Sequence, residues 1–269
     1  MNGSGEEVLS GGYSTPVVRV EDTVRRATGP WSPAVHGLLR HLERRGFDGA
    51  PRFLGLDDRG REVLTFIPGV VGNYPLPFDA WSDEALVHAA RPMRRYHDAT
   101  VGYAPPNGAV WQLQAPPGSH EVICHNDFAS YNLVFTDWRP HAIIDFDTAS
   151  PEPRVWDVSY AAYRFVPLSS KEHSHSLGLT APVDTNLRLC VFCDTYGLTA
   201  RQSRALPEIV EIRLKTLCAF IERCAAAGDS SVERVIEEGH LTLYQRDIEL
   251  MQRRRDELQK SLEQLPVGD

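Results

Sequence analysis

Short β-rich runs dominate the first quarter of the chain, interrupted by one stretch of helical apolar spacing. Residues 17–20 and 23–26 are rich in β-branched side chains around an acidic turn, which predicts a hairpin. A helix is predicted from Ser32, with Ser32 as N-cap and Pro33 in its first turn. Residues 51–56 and 62–67 predict a second hairpin. The helix is marked by an apolar stripe at i, i+3, i+4 and i+7, formed by Val35, Leu38, Leu39 and Leu42.

The rest of the chain is dominated by helical patterns. Ser82 begins a predicted helix that runs to about Thr100. Helices are also predicted after Asp157, over residues 207–227 and from Ser231 to about Leu262. Between these regions, two short apolar runs flank a polar loop at residues 125–132, and a third apolar run ends on Asp145. The loop is therefore expected between two buried strands, with Asp145 at the end of another.

Four polar residues in and after this loop suggest a metal site. His125, Asp127 and Asn132 follow the spacing H-x-D-x4-N, and Asp145 comes after the next apolar run. Mg²⁺ prefers one or two carboxylates together with substrate phosphates. Asp and Asn also occur in plain turns, where their side chains bond nearby backbone. All four residues at this spacing favour a functional site over a turn.

The loop and the segment 144–147, Ile-Asp-Phe-Asp, resemble the aminoglycoside phosphotransferase family of small-molecule kinases, within the protein-kinase-like superfamily. Segments 93–99 and 154–160 extend the resemblance, which covers roughly residues 8–165. It implies an α+β, protein-kinase-like bilobal fold. Residues 1–68 would form a small β-rich N-lobe with one main helix, and residues 69–269 a larger, mostly helical C-lobe.

The resemblance implies a role for each loop residue. Asp127 is the expected base, and Asn132 and Asp145 are the expected Mg²⁺ ligands. His125 is expected to brace the loop, since imidazole can bond backbone at both nitrogens. Asp157 is expected either to cap the helix that follows it or to tie the loop to the C-lobe. Asp147 is left open between a contact with metal or substrate and a solvated carboxylate.

Two segments are expected to bind a nucleotide, either ATP or another nucleoside triphosphate. Glycine lets backbone amides approach anions closely, so the turn formed by Ser10, Gly11, Gly12 and Ser14 is a candidate cover for the phosphates. The resemblance also implies that the adenine lies against the connector formed by Thr65, Phe66 and Ile67.

The strand that carries a phosphate-contacting Lys in this family departs from the pattern. It holds Arg25 and Arg26, and either arginine could serve or both could be surface charges. The Glu expected to pair with that Lys is replaced by Val35, with His36 beside it. The sequence thus predicts that the usual ion pair is missing or rebuilt.

The composition of the chain limits the classes of partner that it is expected to bind. The 269 residues carry a net charge of −8, which argues against general nucleic-acid binding. This charge fits a cationic substrate only weakly, and the sequence does not choose among the candidate acidic residues Glu152, Asp184, Asp194, Glu208 and Glu211. No apolar run approaches the length of a membrane span, and residues 1–7 do not resemble a signal peptide. A cytoplasmic location is therefore expected.

The favoured hypothesis is an ATP-dependent phosphotransferase that uses Mg²⁺ and acts on the hydroxyl of a small molecule, with an antibiotic as one candidate. One alternative is a non-catalytic nucleotide-binding protein on a kinase-like fold, which the missing Lys would favour. Another is a kinase of a peptide or protein hydroxyl. The sequence leaves the acceptor and the oligomeric state open.

Overall fold

An antiparallel five-stranded sheet with one helix forms the amino-terminal part of the protein. The computed structural model describes residues 5–9, 17–113, 120–228 and 230–263. The strand order is β1-β2-β3-β5-β4. The elements are β1 (Glu7–Leu9), β2 (Val17–Val20), β3 (Thr23–Arg26), α1 (Ser32–Arg44), β4 (Phe53–Leu56) and β5 (Glu62–Thr65). Both predicted hairpins are confirmed, and β1 is an additional strand that pairs with β2.

The predicted role of Ser32 as N-cap is wrong by one position. Helix α1 begins at Ser32, and Trp31 occupies the N-cap. The Ser32 hydroxyl instead accepts a hydrogen bond from the backbone N–H of Gly29, at 2.9 Å. It therefore closes the turn before the helix. The apolar stripe of α1 is buried as predicted, with Leu38 and Leu42 fully inaccessible.

Helices and two small sheets form the remainder of the chain. The three-stranded sheet has the order β6-β8-β9, and β7 pairs with β10. The strands are β6 (Val70–Val71), β7 (Val122–Cys124), β8 (Leu133–Thr136), β9 (Arg139–Ile143) and β10 (Ser150–Glu152). The helices are α2 (Asp83–Thr100), α3 (Arg154–Phe165), α4 (Lys171–Ser176), α5 (Thr185–Tyr196), α6 (Ala200–Ala226), α7 (Ser230–Glu237) and α8 (His240–Glu263). The bilobal α+β fold is confirmed, whereas the boundary after residue 68 stays a prediction.

Two helix predictions need correction, whereas the start of α2 agrees with its prediction. Ser82, predicted to begin this helix, is its N-cap and accepts from the N–H of Ala85 at 3.1 Å. Helix α6 begins at Ala200, so Pro207 lies inside it. The long carboxy-terminal helix is two helices, because Gly239 has a left-handed backbone (φ 82°) between α7 and α8.

One continuous apolar core connects the two parts of the molecule. It joins α1 residues such as Leu38 to α2, to the loop after β7 and to α3, α6 and α8. Phe128, which lies in the polar loop, and Phe146, which follows Asp145, are buried within it. The core therefore fixes the backbone on which the polar side chains stand. In the described part of the chain, no helix combines the length and apolar character needed to cross a bilayer.

Candidate functional site

The polar loop lies between β7 and β8, and His125 holds it from inside. His125 is fully buried. Its Nδ1 lies 3.3 Å from the donating backbone N–H of Asp127, and its Nε2 is 2.9 Å from the carbonyl oxygen of Ile144. Because Nδ1 accepts, Nε2 carries the proton and donates to Ile144. These contacts link the loop to the end of β9 and support the predicted bracing role.

Asp157 ties the same loop to helices α2 and α3. Its fully buried carboxylate accepts from the backbone N–H groups of His125 (2.7 Å) and Asn126 (2.9 Å), and lies 2.9 Å from Nε2 of His97. Burial raises its pKa, but the bond to His97 and the neighbouring His125 outweigh this effect, so the pKa is lowered. Helix α3 starts at Arg154. The prediction that Asp157 caps this helix is therefore wrong, while the geometry supports the loop-tying alternative.

The carboxylate of Asp127 is held by two donors. The Tyr131 hydroxyl donates to Oδ1 at 2.6 Å, and Nδ2 of Asn132 donates to Oδ2 at 2.9 Å. Burial and the nearby Asp127 charge raise the pKa of Tyr131 well above its usual value, so Tyr131 stays a donor at neutral pH. Tyr131 was missed in the sequence, where a lone Tyr in the loop carried no signal.

Asn132 and Asp145 are brought together by the backbone. The N–H of Ile144 donates to the carbonyl of Asn132 at 2.9 Å, so Asp145 follows directly after a residue bonded to the loop. Nδ2 of Asn132 donates to Asp127, so Oδ1 is the side-chain atom with which Asn132 could hold a metal ion. Asp145 has a left-handed backbone (φ 63°), a conformation that Asp tolerates better than most residues, and its carboxylate is 51% exposed.

Arg26 sits at the centre of a cluster of carboxylates. Its Nη1 donates to Asp145 at 2.8 Å and its Nη2 donates to Asp147 at 2.6 Å. Its Nε donates to Glu62 on β5. Three carboxylates thus face one guanidinium, and this surplus of negative charge fits a divalent cation. Burial, followed by the charges of Asp145 and Glu62, raises the pKa of Asp147 even though Arg26 opposes the rise.

Arg26 has a buried carboxylate partner on a neighbouring strand. Glu62 is buried, and its second oxygen lies 2.7 Å from Nε2 of His36, whose ring stacks on Phe53 at 3.6 Å. A strand residue, rather than a residue of α1, therefore supplies this carboxylate. Arg26 is the arginine that lies in this cluster, since Arg25 points to Thr23 and Asp57. Glu62 was missed because its partners are distant in sequence.

The structure describes only some of the residues predicted to bind the nucleotide. Ser10, Gly11, Gly12 and Ser14 lie outside the described residues, although β1 and β2 on either side pair as an antiparallel hairpin. In the connector, the Phe66 N–H donates to Asp22 at 2.8 Å and the Thr65 N–H donates to Arg52 at 3.0 Å. Among the described residues, the Ile67 backbone has no hydrogen-bond partner.

Comparison with known proteins places this geometry in a family. A model of the phosphotransferase enzyme family matches residues 74–173, which include the polar loop and Asp145. The chain is also 35% identical over 203 residues to the trifolitoxin immunity protein of Rhizobium leguminosarum bv. trifolii, covering 73% of this chain and 76% of that protein. The chain belongs to the phosphotransferase enzyme family.

Solved structures share the fold of this phosphotransferase at low sequence identity. A choline/ethanolamine kinase family protein from Mesorhizobium loti matches with a TM-score of 0.62 and 14% identity, over 97% of this chain and 94% of that one. The GDP complex of wild-type aminoglycoside 2'-phosphotransferase-IIIa matches with a TM-score of 0.56 and 12% identity, over 94% and 93%. At such identities the likeness establishes the bilobal fold alone.

Proposed function

We propose that this phosphotransferase moves the γ-phosphate of ATP to a hydroxyl of a small molecule, with Mg²⁺. The observation that carries the proposal is the arrangement of Asp127, Asn132 and Asp145. One carboxylate is held by two donors, and a second carboxylate follows directly after Ile144, whose N–H bonds the backbone of Asn132. Phosphoryl transfer requires this combination of an oriented acceptor and charge neutralisation at the phosphates.

Each residue contributes a separate part of the reaction. Asp145 and Asn132 would hold Mg²⁺, which when bound neutralises phosphate charge. Asp127 would accept a hydrogen bond from the acceptor hydroxyl and take its proton as the hydroxyl oxygen bonds to the γ-phosphorus and the bond from that phosphorus to the departing ADP breaks. His125 and Asp157 would keep the loop in place. Arg26 would contact phosphate oxygens of the nucleotide through charge-assisted hydrogen bonds.

The remaining nucleotide contacts come from the amino-terminal sheet. We assign the phosphate cover to Ser10, Gly11, Gly12 and Ser14, because they connect the antiparallel strands β1 and β2. The unpartnered backbone of Ile67, with Thr65 and Phe66, would meet the base. ATP is the proposed donor. A related fold binds GDP, so GTP is a second donor to test.

The proposed class of acceptor is drawn from a relative of the chain. A relative of this phosphotransferase is named an immunity protein against trifolitoxin, which adds toxins to the antibiotics among the hydroxyl compounds to screen. Phosphorylation of a peptide hydroxyl uses the same chemistry and remains the main alternative acceptor. We disfavour a non-catalytic role, because Arg26, the residue proposed to take the place of the lysine, is held by the buried carboxylate of Glu62.

The proposal is tested by following labelled ATP with a panel of hydroxylated metabolites, antibiotics and peptides. We expect Mg²⁺-dependent transfer that is lost in Asp145→Ala and Asn132→Ala. Asp127→Asn should lower kcat about a hundredfold or more while leaving the nucleotide Kd unchanged. Asp58→Ala is the matched control, since Asp58 is an exposed carboxylate in the turn between β4 and β5, outside the site. Wild-type turnover in Asp145→Ala would refute the metal assignment.

A further inference from the structure

A buried guanidinium without a counter-ion lies one side chain away from Asp127. Arg164, on α3, is only 5% exposed. Among the residues that the structure describes, it makes no hydrogen bond or ion pair, and its enclosed Nε has no partner. Its guanidinium carbon lies 4.8 Å from the ring centre of Tyr74, 5.5 Å from that of Tyr131 and 5.9 Å from that of Tyr163.

This arrangement is costly for the protein by itself. A guanidinium offers five N–H donors, and burying a charge without a partner is unfavourable. Aromatic faces attract the cation, but cation–π contacts leave its N–H donors without oxygen acceptors. The other buried arginines of the core find such acceptors. Arg213 donates to the carbonyl of Asn126 at 2.6 Å, and Arg188 donates to that of Trp81 at 2.9 Å.

The position of Arg164 connects it to the proposed reaction. Tyr131 contacts the guanidinium through its ring and donates to Asp127 through its hydroxyl, which also lies 3.2 Å from the hydroxyl of Tyr160. An acceptor whose hydroxyl reaches Asp127 would therefore extend over tyrosine rings toward Arg164. Two of the five acidic residues considered for a cationic substrate are engaged elsewhere. Asp184 caps α5, and Glu211 binds Lys215.

We propose that Arg164 binds an anionic group of the acceptor, so that the acceptor is a hydroxylated acid with an apolar or aromatic body rather than an amine. The inference rests on the proposed function, because it takes Asp127 as the acceptor end of the site. The planar guanidinium would form charge-assisted, two-point hydrogen bonds with a carboxylate, and the tyrosine rings would cover the body of the acceptor.

Three para-substituted benzyl alcohols test this charge preference directly. Hydroxymethylbenzoate is anionic, hydroxymethylbenzamide is neutral and hydroxymethylbenzylamine is cationic, while hydroxyl and ring are shared. Each is titrated by calorimetry into the full-length protein with Mg²⁺ and a non-hydrolysable ATP analogue. We expect the benzoate to bind on the order of tenfold to a hundredfold more tightly than the amine. Equal affinities, tighter binding of the amine, or no benzoate binding at millimolar concentration would overturn the proposal.

Variants separate a binding role from a structural one. Arg164→Met should abolish the preference for the benzoate, and Arg164→Lys should keep part of it, because the charge remains without the planar fork. Arg91→Met, an exposed arginine on α2, is the control. Removal of an unpaired buried charge should leave the Tm of Arg164→Met unchanged or higher. A fall in Tm with the preference intact, or failure to fold, would show a structural role.

The two proposals fail in different ways. Carboxylate selectivity without ATP turnover would refute phosphotransfer but keep Arg164 as an anion-binding residue. Turnover on amines or neutral alcohols alone would keep phosphotransfer and overturn the anionic acceptor. A weaker ATP analogue Kd in Arg164→Met, with unchanged benzoate preference, would assign Arg164 to the nucleotide phosphates and also overturn the proposal.

Discussion

Replacing Glu62 by Gln should destabilise the protein although the shape of the side chain is kept. Glu62 is 1% exposed and accepts from both Arg26 and His36. Gln retains one acceptor oxygen and turns an amide N–H₂ toward one of these donors. Removing one partner of a buried ion pair costs about 3–5 kcal/mol. Arg26 keeps Asp145 and Asp147, so we expect a loss of about 2–3 kcal/mol.

The measurement is urea unfolding followed by circular dichroism at neutral pH, with Glu43→Gln as the matched control. Glu43 pairs with Arg52 at 3.9 Å and is 52% exposed, so its loss should cost less than about 1 kcal/mol. A Glu62→Gln protein no less stable than Glu43→Gln would refute the argument that this carboxylate anchors Arg26.

The pH dependence gives a second check on Glu62. Burial raises the pKa of Glu62, but His36 and Arg26 outweigh this effect, so the pKa is lowered below 4.5. The contribution of the ionised carboxylate is therefore present above about pH 4.5 and lost as the pH falls through the lowered pKa. The stability difference between wild type and Glu62→Gln should narrow in acid, and a widening difference would contradict the assignment.

Three further predictions test the site and its supports. Arg26→Ala should weaken ATP binding about tenfold or more with adenosine binding unchanged, whereas Arg25→Ala should change neither affinity. Equal effects of the two variants in calorimetry would argue against Arg26 as the phosphate-contacting residue. Asp157→Asn should cost about 2–4 kcal/mol in urea unfolding, because one of its oxygens becomes a donor facing N–H groups; a loss under about 0.5 kcal/mol would contradict the loop-tying role. Burial raises the pKa of Glu152 to about 7, so the folded protein keeps a proton that the unfolded chain loses, and stability should fall as the pH rises from 4.5 to 7. Glu152→Gln should remove this fall, so that the variant gains about 1–3 kcal/mol in stability relative to wild type at pH 8. Urea midpoints of wild type and variant that differ by the same amount at every pH would disprove this prediction.

The sequence determined the features that depend on neighbouring residues. Alternation and a turn were enough for both hairpins, and the stripe of Val35, Leu38, Leu39 and Leu42 was enough for α1. The loop from His125 to Asn132, followed by Asp145, was visible because spacing along one loop fixes which side chains share it. Helix ends were less certain. The N-cap of α1 and the break at Gly239 depend on backbone details that several residue types allow.

Only the tertiary structure decided which distant side chains meet. Arg26 and Asp145 are 119 residues apart, and Arg26 and Glu62 are 36 apart. No local pattern marks such a pair, since the contact exists only after β3, β5 and the end of β9 have packed on one core. The same holds for Tyr131 over Arg164, where a lone Tyr and a lone Arg in sequence become an aromatic pocket around an unpaired charge. Chemistry that depends on a partner's distance and burial is therefore set by the fold.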